Sequence, residues 1–477
     1  ATTLAGRIKA REISSAELLE HYISRMEKYN PEINAIICTQ LDKARDRARQ
    51  ADESLAAGGD WGPLHGVPMT VKESFNLTGL PTTWGDTQLK NNIADHDAVA
   101  CSRLQAAGAI IFGKTNVPIN LADMQSFNDI YGTTNNPHDL ERGPGGSSGG
   151  AAAAMAAGLS GLEMGSDIGG SIRNPAHYCG VFGHKATWGV LPIRGHAKPS
   201  VLTPSDISVI GPLARSADDL RMVMEIVGGA DDLHLPGWKL ELPRPTHKSL
   251  GEYKIAVWAD DVMAPVDQSV IERVLMVAKL VEDAGGEVDF AARPEFDAAD
   301  SHLHYSSLLH SAMSARQPDA VFEKMRQQRE SLADGDDSDL AQILTASTLH
   351  YRDWHKHNEK RTHLRWAWHQ FFQEFDLLLT PVCVTSAFAH DQNPHVGERG
   401  LTVNNEQRPY FEQIFWAGLT GVSYLPSTVV PTGLDHQGLP IGVQIVGREM
   451  GDLFTIEFAR LVDAEIGGFV PASAYRD

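Results

Sequence analysis

The chain has 477 residues, 42% of them hydrophobic and 21% charged, the composition of a globular protein with a large core. Its formal charge of −20 excludes nucleic acid and anionic membrane surfaces as main partners, because both attract cationic proteins. Cys38, Cys101, Cys179 and Cys383 are scattered without paired spacing, so neither a disulfide framework nor a zinc site is indicated, and a reducing, cytoplasmic location is expected.

Residues 14 to 57 read as helices. Ser14-Ser15-Ala16-Glu17 resembles a capping box, and Leu18, Leu19, Tyr22 and Ile23 recur at helical spacing. Ala1 to Ile13 carries no apolar core of signal-peptide length, and no stretch approaches the roughly 18 apolar residues of a membrane helix. Asn34 to Cys38 reads as a strand, and Leu41 to Leu55 as a charged surface helix. Val67 to Val71 has the apolar, β-branched character of a buried strand, with Lys72 at its carboxyl end. An open α/β sheet gathers its active site at such ends. Ala109 to Gly113 is a second buried strand, leading to Lys114, a rival lysine. The polar, turn-rich loop from Val117 to Asn136 suits a cleft wall.

Two glycine-rich turns follow. Gly143-Pro144-Gly145-Gly146-Ser147-Ser148-Gly149-Gly150 and Gly165-Ser166-Asp167-Ile168-Gly169-Gly170-Ser171 bracket a helical segment from Ala151 to Leu159. Glycine admits sharp bends and close approaches, so consecutive amides from Ile168 to Ser171 can converge as an anion-binding nest. A serine beside a nest is the arrangement acyl transfer needs, with nucleophile and oxyanion hole in one turn. The competing reading is two turns packed for structure alone.

Ser216 caps the helix that follows it. Lys254 to Trp258, Val270 to Ala284 and Glu287 to Asp289 form a β-α-β unit that continues the sheet. Residues 300 to 372 are helical and histidine-rich, from His302 to His369, but no HExxH or compact ligand set is visible, so no metal and no cofactor is expected. Phe375 to Pro381 and Ser427 to Pro431 read as strands, Asn405 to Gly418 and Asp452 to Ile466 as helices.

The span Gly145 to Gly183, with GGSSGG and GSDIGGSIRNPA, resembles the signature of the amidase signature family of serine hydrolases. Gly66, Pro68, Lys72 and Glu73 also stand in that family's lysine motif, and the similarity runs from about residue 10 to about 465. The resemblance implies an α/β fold: one large domain with a central mixed, mostly parallel sheet covered by helices on both faces. Within 1–477 it implies N-terminal helices 1–60, a signature core 61–230, a variable substrate-cap region of about 235–410, and closing strands and helix 411–477. It implies catalytic Lys72, Ser147 and Ser171, the last as nucleophile, with Ser148 as the alternative relay. The implied oxyanion hole comprises the amides of Ile168, Gly169, Gly170 and Ser171. Ser147's counterpart in the family follows a cis peptide. Leu121, Ala122, Asp123 and Met124 would line the substrate pocket, while Lys114 is read as structural. Two departures leave the neighbouring pocket open: Lys185-Ala186-Thr187-Trp188-Gly189 replaces the usual GxKPTxG, and His138 replaces a tryptophan.

The expected activity is amide hydrolysis through an acyl-enzyme, with esters or carbamates (urethanes) open to the same chemistry. Alternatives are a glutamine amidotransferase subunit for transfer-RNA charging and a phosphate-binding module without catalysis, although the first glycine loop lacks a P-loop ending. Asp123 is the only ionisable residue from Asn120 to Asn128, and no basic group lies there. An apolar or aromatic small-molecule substrate is therefore expected rather than free glutamine, acted on by a monomer or homodimer. The aromatic run Tyr410, Phe411, Phe415 and Trp416 faces either the cleft or the core.

Overall fold

The capping box forms as the sequence predicts. Ser14 accepts from the Glu17 amide and the Glu17 carboxylate accepts from the Ser14 amide, starting the helix Ser15–Ile33. The structure, a computed structural model, describes residues 1–476. Ile36–Thr39, Ile110–Thr115 and Pro68–Lys72 form a three-stranded sheet in that order, with Pro68–Lys72 parallel to Ile110–Thr115. The Thr70 amide donates to the Leu162 carbonyl at 3.3 Å, which ties this sheet to the segment that opens the main one.

The main sheet has eight strands, ordered Glu287–Asp289, Lys254–Val257, Leu377–Pro381, Pro440–Gly447, Ser427–Leu434, Phe182–Lys185, Val209–Ala214 and Glu163–Asp167. It is mixed, as expected, but not mostly parallel. Only Lys254–Val257 pairs in parallel, with Glu287–Asp289 on one side and Leu377–Pro381 on the other. Every later pairing is antiparallel. The reason is connection length: a short turn at 435–439 joins Ser427–Leu434 to Pro440–Gly447, and parallel neighbours need a long crossover. Helices Gln268–Asp283, Arg173–Cys179 and Asp452–Ile466 pack on this sheet. One sheet thus runs from the second glycine turn to the C-terminal half, which makes the chain a single α/β domain.

The expected helix from Asn405 to Gly418 is half wrong. Gly400–Val403 and Glu406–Pro409 form a hairpin, and the helix begins only at Ile414. Asn404 and Asn405 both adopt positive φ, 49° and 67°, which is the two-residue turn that a tight hairpin requires and asparagine tolerates. Trp416 and Phe415 pack in the core, and the Trp416 indole donates to the Ala264 carbonyl at 3.2 Å. Four helices lie between Ala298 and Glu374 and pack on one another, and Ala298–Ser314 also packs on the helix Ile414–Gly421. No helix among the described residues is long and apolar enough to cross a membrane.

Candidate active site

Strand register separates the two candidate lysines. Lys72 pairs with Thr115 and Lys114 with Val71, one position out of step, so their side chains leave opposite faces of the sheet. Lys114 is held by the Pro81 carbonyl and by Thr82 Oγ1 at 3.0 Å, in the structural role expected of it. Lys72 instead reaches the glycine turns. Its Nζ lies 2.7 Å from Ser147 Oγ, 2.9 Å from Ser148 Oγ and 3.0 Å from Ser166 Oγ, with no exposed surface.

These serines are not equivalent. Ser148 Oγ also donates to the Ser166 carbonyl at 3.2 Å and accepts from the Ser166 amide, which fixes it in the framework. Ser147 opens onto a cavity of about 120 Å³ that Ser171 also lines. The Gly146–Ser147 peptide is cis. Gly146 has no room for a side chain, because a Cβ there would collide with the Asp123 carbonyl and with the Gln125 backbone. Ser147 and Ser171 share the cavity, but their hydroxyls do not hydrogen-bond to each other here.

Burial pushes the Lys72 ammonium down to about 7, against the opposing pull of Asp167 and Glu163. Neither carboxylate is well placed to restore its charge. Burial raises the Glu163 carboxyl to about 8, which keeps it largely neutral. Burial alone would also raise Asp167, but the Arg173 guanidinium, then Lys185 and the Gly170 amide, hold it well below the usual carboxylate range. Its charge is engaged by Arg173, at 2.9 and 3.0 Å. Lys72 therefore sits dry among hydroxyls, where the neutral amine is stable near pH 7.

Asp167 also shapes the second turn. Its carboxylate accepts from the Gly170 amide at 2.9 Å and the Ile172 amide at 3.1 Å. One amide of the expected oxyanion set already has an acceptor. The Gly170 amide is engaged by Asp167, while the amides of Ile168, Gly169 and Ser171 have no acceptor among the described residues. Gly170 has φ +103°, a conformation that glycine adopts and other residues resist. Arg173 reaches further, to the Ala417 carbonyl, Thr420 Oγ1 and Gln444 Oε1 at 3.1, 3.0 and 2.8 Å. Arg173→Met is expected to cost about 3–5 kcal/mol in denaturant unfolding, because it leaves a buried carboxylate unpaired. A loss below about 1 kcal/mol, the range of exposed ion pairs, would show that the pair does not hold the turn.

Of the expected pocket wall, Leu121 and Ala122 line the cavity and Asp123 and Met124 do not. Asp123 is taken by Arg399 at 2.7 Å and by the Tyr410 hydroxyl at 2.7 Å, while Met124 is buried in the core. Two further groups carry no clear signal in the sequence. Ser166 lies inside the second motif, yet only the fold brings its hydroxyl within 3.0 Å of Lys72 Nζ. His196 lines the cavity, meets the rings of Phe75 and Trp84 at tilted angles of 59° and 49°, and pairs with Ser74 Oγ at 2.9 Å. Burial, then the Lys72 charge, push its imidazole down to about 3, so it is neutral.

The model of the family described as Amidase matches residues 17–455. The chain belongs to the amidase family. As such it is an enzyme acting on carbon–nitrogen bonds, with small molecules as the usual substrates of the family. It is 32% identical over 462 residues to an indoleacetamide hydrolase of Bradyrhizobium diazoefficiens, covering 95% of this chain and 84% of that one. It is 30% identical over 468 residues, 94% of each chain, to a glutamyl-tRNA(Gln) amidotransferase subunit of Rippkaea orientalis. A bacterial aryl acylamidase of the amidase signature family superposes with a TM-score of 0.81, covering 99% of this amidase and 96% of the other chain. At 24% identity that likeness speaks for the fold alone.

Proposed function

We propose that this amidase hydrolyses apolar or aryl amides through an acyl-enzyme on Ser171, with esters and carbamates open to the same chemistry. Neutral Lys72 accepts the proton of Ser147, and Ser147 accepts that of Ser171. The Ser171 oxygen attacks the carbonyl carbon as the carbonyl π electrons move to oxygen, where the amides of Ile168, Gly169 and Ser171 receive the negative charge. The carbon–nitrogen bond then breaks as the relay returns a proton to the leaving amine. Water, deprotonated by the same relay, cleaves the acyl group from Ser171. The observation that carries this reading is the hydrogen bond of 2.7 Å between buried Lys72 and Ser147 in a cavity shared with Ser171. Hydroxyl contacts of this kind are commonly loose before substrate binds, so the separate Ser147 and Ser171 hydroxyls fit a relay that closes on the substrate.

The relatives named as amidotransferase subunits favour a second reading, glutamine hydrolysis in a complex. Free glutamine carries an ammonium group, and the cavity lining holds no aspartate or glutamate to receive it. A panel of anilides, aliphatic amides, carbamates and glutamine tests both readings. Anilides or carbamates are expected to exceed glutamine in kcat/KM. Glutamine outrunning them all, or glutaminase activity that appears only with a partner chain, would overturn the preferred substrate class.

A further inference from the structure

The cavity that Ser171 lines also has a wall that the proposed chemistry does not use. That wall comes from the loop of residues 193–208 and from residues 312–317, at and beyond the end of the helix Ala298–Ser314. Trp84, Leu121, Ile193, Val201, Leu202 and Met313 give the cavity lining apolar surface. The lining as a whole contains no aspartate or glutamate, in a chain with a formal charge of −20. It does contain three cationic side chains: Arg194, Lys198 and Arg316.

These three differ in their partners. Arg194 is neutralised by Asp231 at 2.7 Å and Asp232 at 2.6 Å. Asp206, which follows the lining residue Ser205, is taken by Arg361 at 2.8 Å and by the Tyr424 hydroxyl. Lys198 and Arg316 have no acidic partner among the described residues. Arg316 donates to the Thr203 carbonyl, which holds its guanidinium at the wall and joins the loop to the helix end. Both are half-buried, and burial lowers the pKa of Arg316. A partly desolvated cation with unused donors gains most from an anion that can accept them.

We propose that Lys198 and Arg316 form an anion subsite at the far wall of the cavity. The favoured substrate is then an amide whose scissile carbonyl is separated by an apolar spacer from a carboxylate. This deepens the acyl-enzyme reading and rests on it. It also changes the ground on which glutamine is disfavoured: basic groups do line the cavity, and the missing partner is an acid for the ammonium.

The test uses two matched pairs, read by release of the aromatic amine. One pair is 4-acetamidobenzoate and 4-acetamidotoluene, with the carboxylate on the leaving group. The other is the monoanilide of glutaric acid and hexananilide, with the carboxylate on the acyl group. In at least one pair, wild-type kcat/KM is expected to favour the carboxylate by about tenfold, and both Lys198→Met and Arg316→Met to cut that ratio by about tenfold. Lys198→Arg is expected to keep it, and added salt to lower it. Lys198→Met removes no hydrogen bond seen here, so it stays informative even where Arg316→Met disturbs the loop. A wild-type preference for the neutral member of both pairs, or a ratio unchanged by Lys198→Met and Arg316→Met, overturns the subsite. In that case, Ser171-dependent cleavage of the neutral anilides leaves the acyl-enzyme reading standing. If no anilide is cleaved, calorimetry of the two carboxylates on Ser171→Ala decides the subsite. Weaker binding after Lys198→Met supports it, and an unchanged Kd overturns it.

Discussion

Ser171→Ala is expected to lower kcat by about four orders of magnitude or more, as loss of a nucleophile does in serine hydrolases. The protein is expected to remain folded. Ser171 Oγ makes no hydrogen bond among the described residues, whereas the backbone of Ser171 does, its carbonyl accepting from the Ser148 amide at 3.1 Å. Alanine therefore removes the reacting atom and keeps the turn. Labelling by a fluorophosphonate followed by peptide mass spectrometry should place the adduct on Ser171 in the wild type and nowhere in the variant. An adduct on Ser147 or Ser148 in the wild type would reassign the nucleophile. Retained turnover in Ser171→Ala, with an unchanged Tm, would remove the acyl-enzyme altogether.

Lys72→Met is expected to lower kcat by roughly 10²- to 10⁴-fold, the usual worth of a positioned general base. The pH profile carries the diagnosis. In the proposed relay the base is the neutral amine, and burial places its pKa at about 7, so wild-type kcat should rise as pH increases through about 7. The residual rate of the variant should lose that step. The variant should lose activity but gain stability. The folded pKa lies below the ordinary lysine value of 10.5, so between about 7 and 10.5 the unfolded chain binds more protons than the folded one. Burying this amine then costs stability on the order of a few kcal/mol at and below neutral pH, and the cost fades as pH rises through that window. Lys72→Met, measured against the wild type by denaturant unfolding, should gain most near pH 7 and progressively less toward pH 10. Lys114 and Lys185 are also lowered by burial, but they are common to both proteins and cancel in the difference. A stability difference that does not vary with pH would mean that Lys72 is not held neutral by its burial.

The site and the fold are legible in the sequence to different degrees. The two glycine turns can be read because their geometry is local. Gly146 and Gly170 mark places where a side chain would collide or where φ must be positive, and both appear in the chain as short motifs. The strand ending at Lys72 is legible from five consecutive buried residues, Pro68–Lys72. The hairpin at Gly400–Pro409 escapes a sequence reading because its polar residues resemble a helix start and its turn depends on two asparagines in left-handed conformations. The share of parallel strands is overestimated, because pairing partners more than a hundred residues apart leave no local trace. Phe182–Lys185 beside Ser427–Leu434 is such a pair. Asp123 reads as a pocket residue, but Arg399, 276 positions away, occupies it.

The sequence by itself determined the family, and with it action on carbon–nitrogen bonds. It also singled out Lys72, Ser147 and Ser171, because the backbone shape of a glycine turn and the end of a buried strand are written in adjacent residues. Only the tertiary structure decided that Ser147 rather than Ser148 faces the cavity, that the Gly170 amide is engaged by Asp167, and that the far wall is cationic. It also decided the protonation of Lys72. Desolvation is a sum over every group packed around the amine, and Ser147, Ser166, Glu163 and Asp167 reach Lys72 from 75 or more positions away. No window of the chain contains that sum, so the lowering of the Lys72 pKa arises only once the fold has closed.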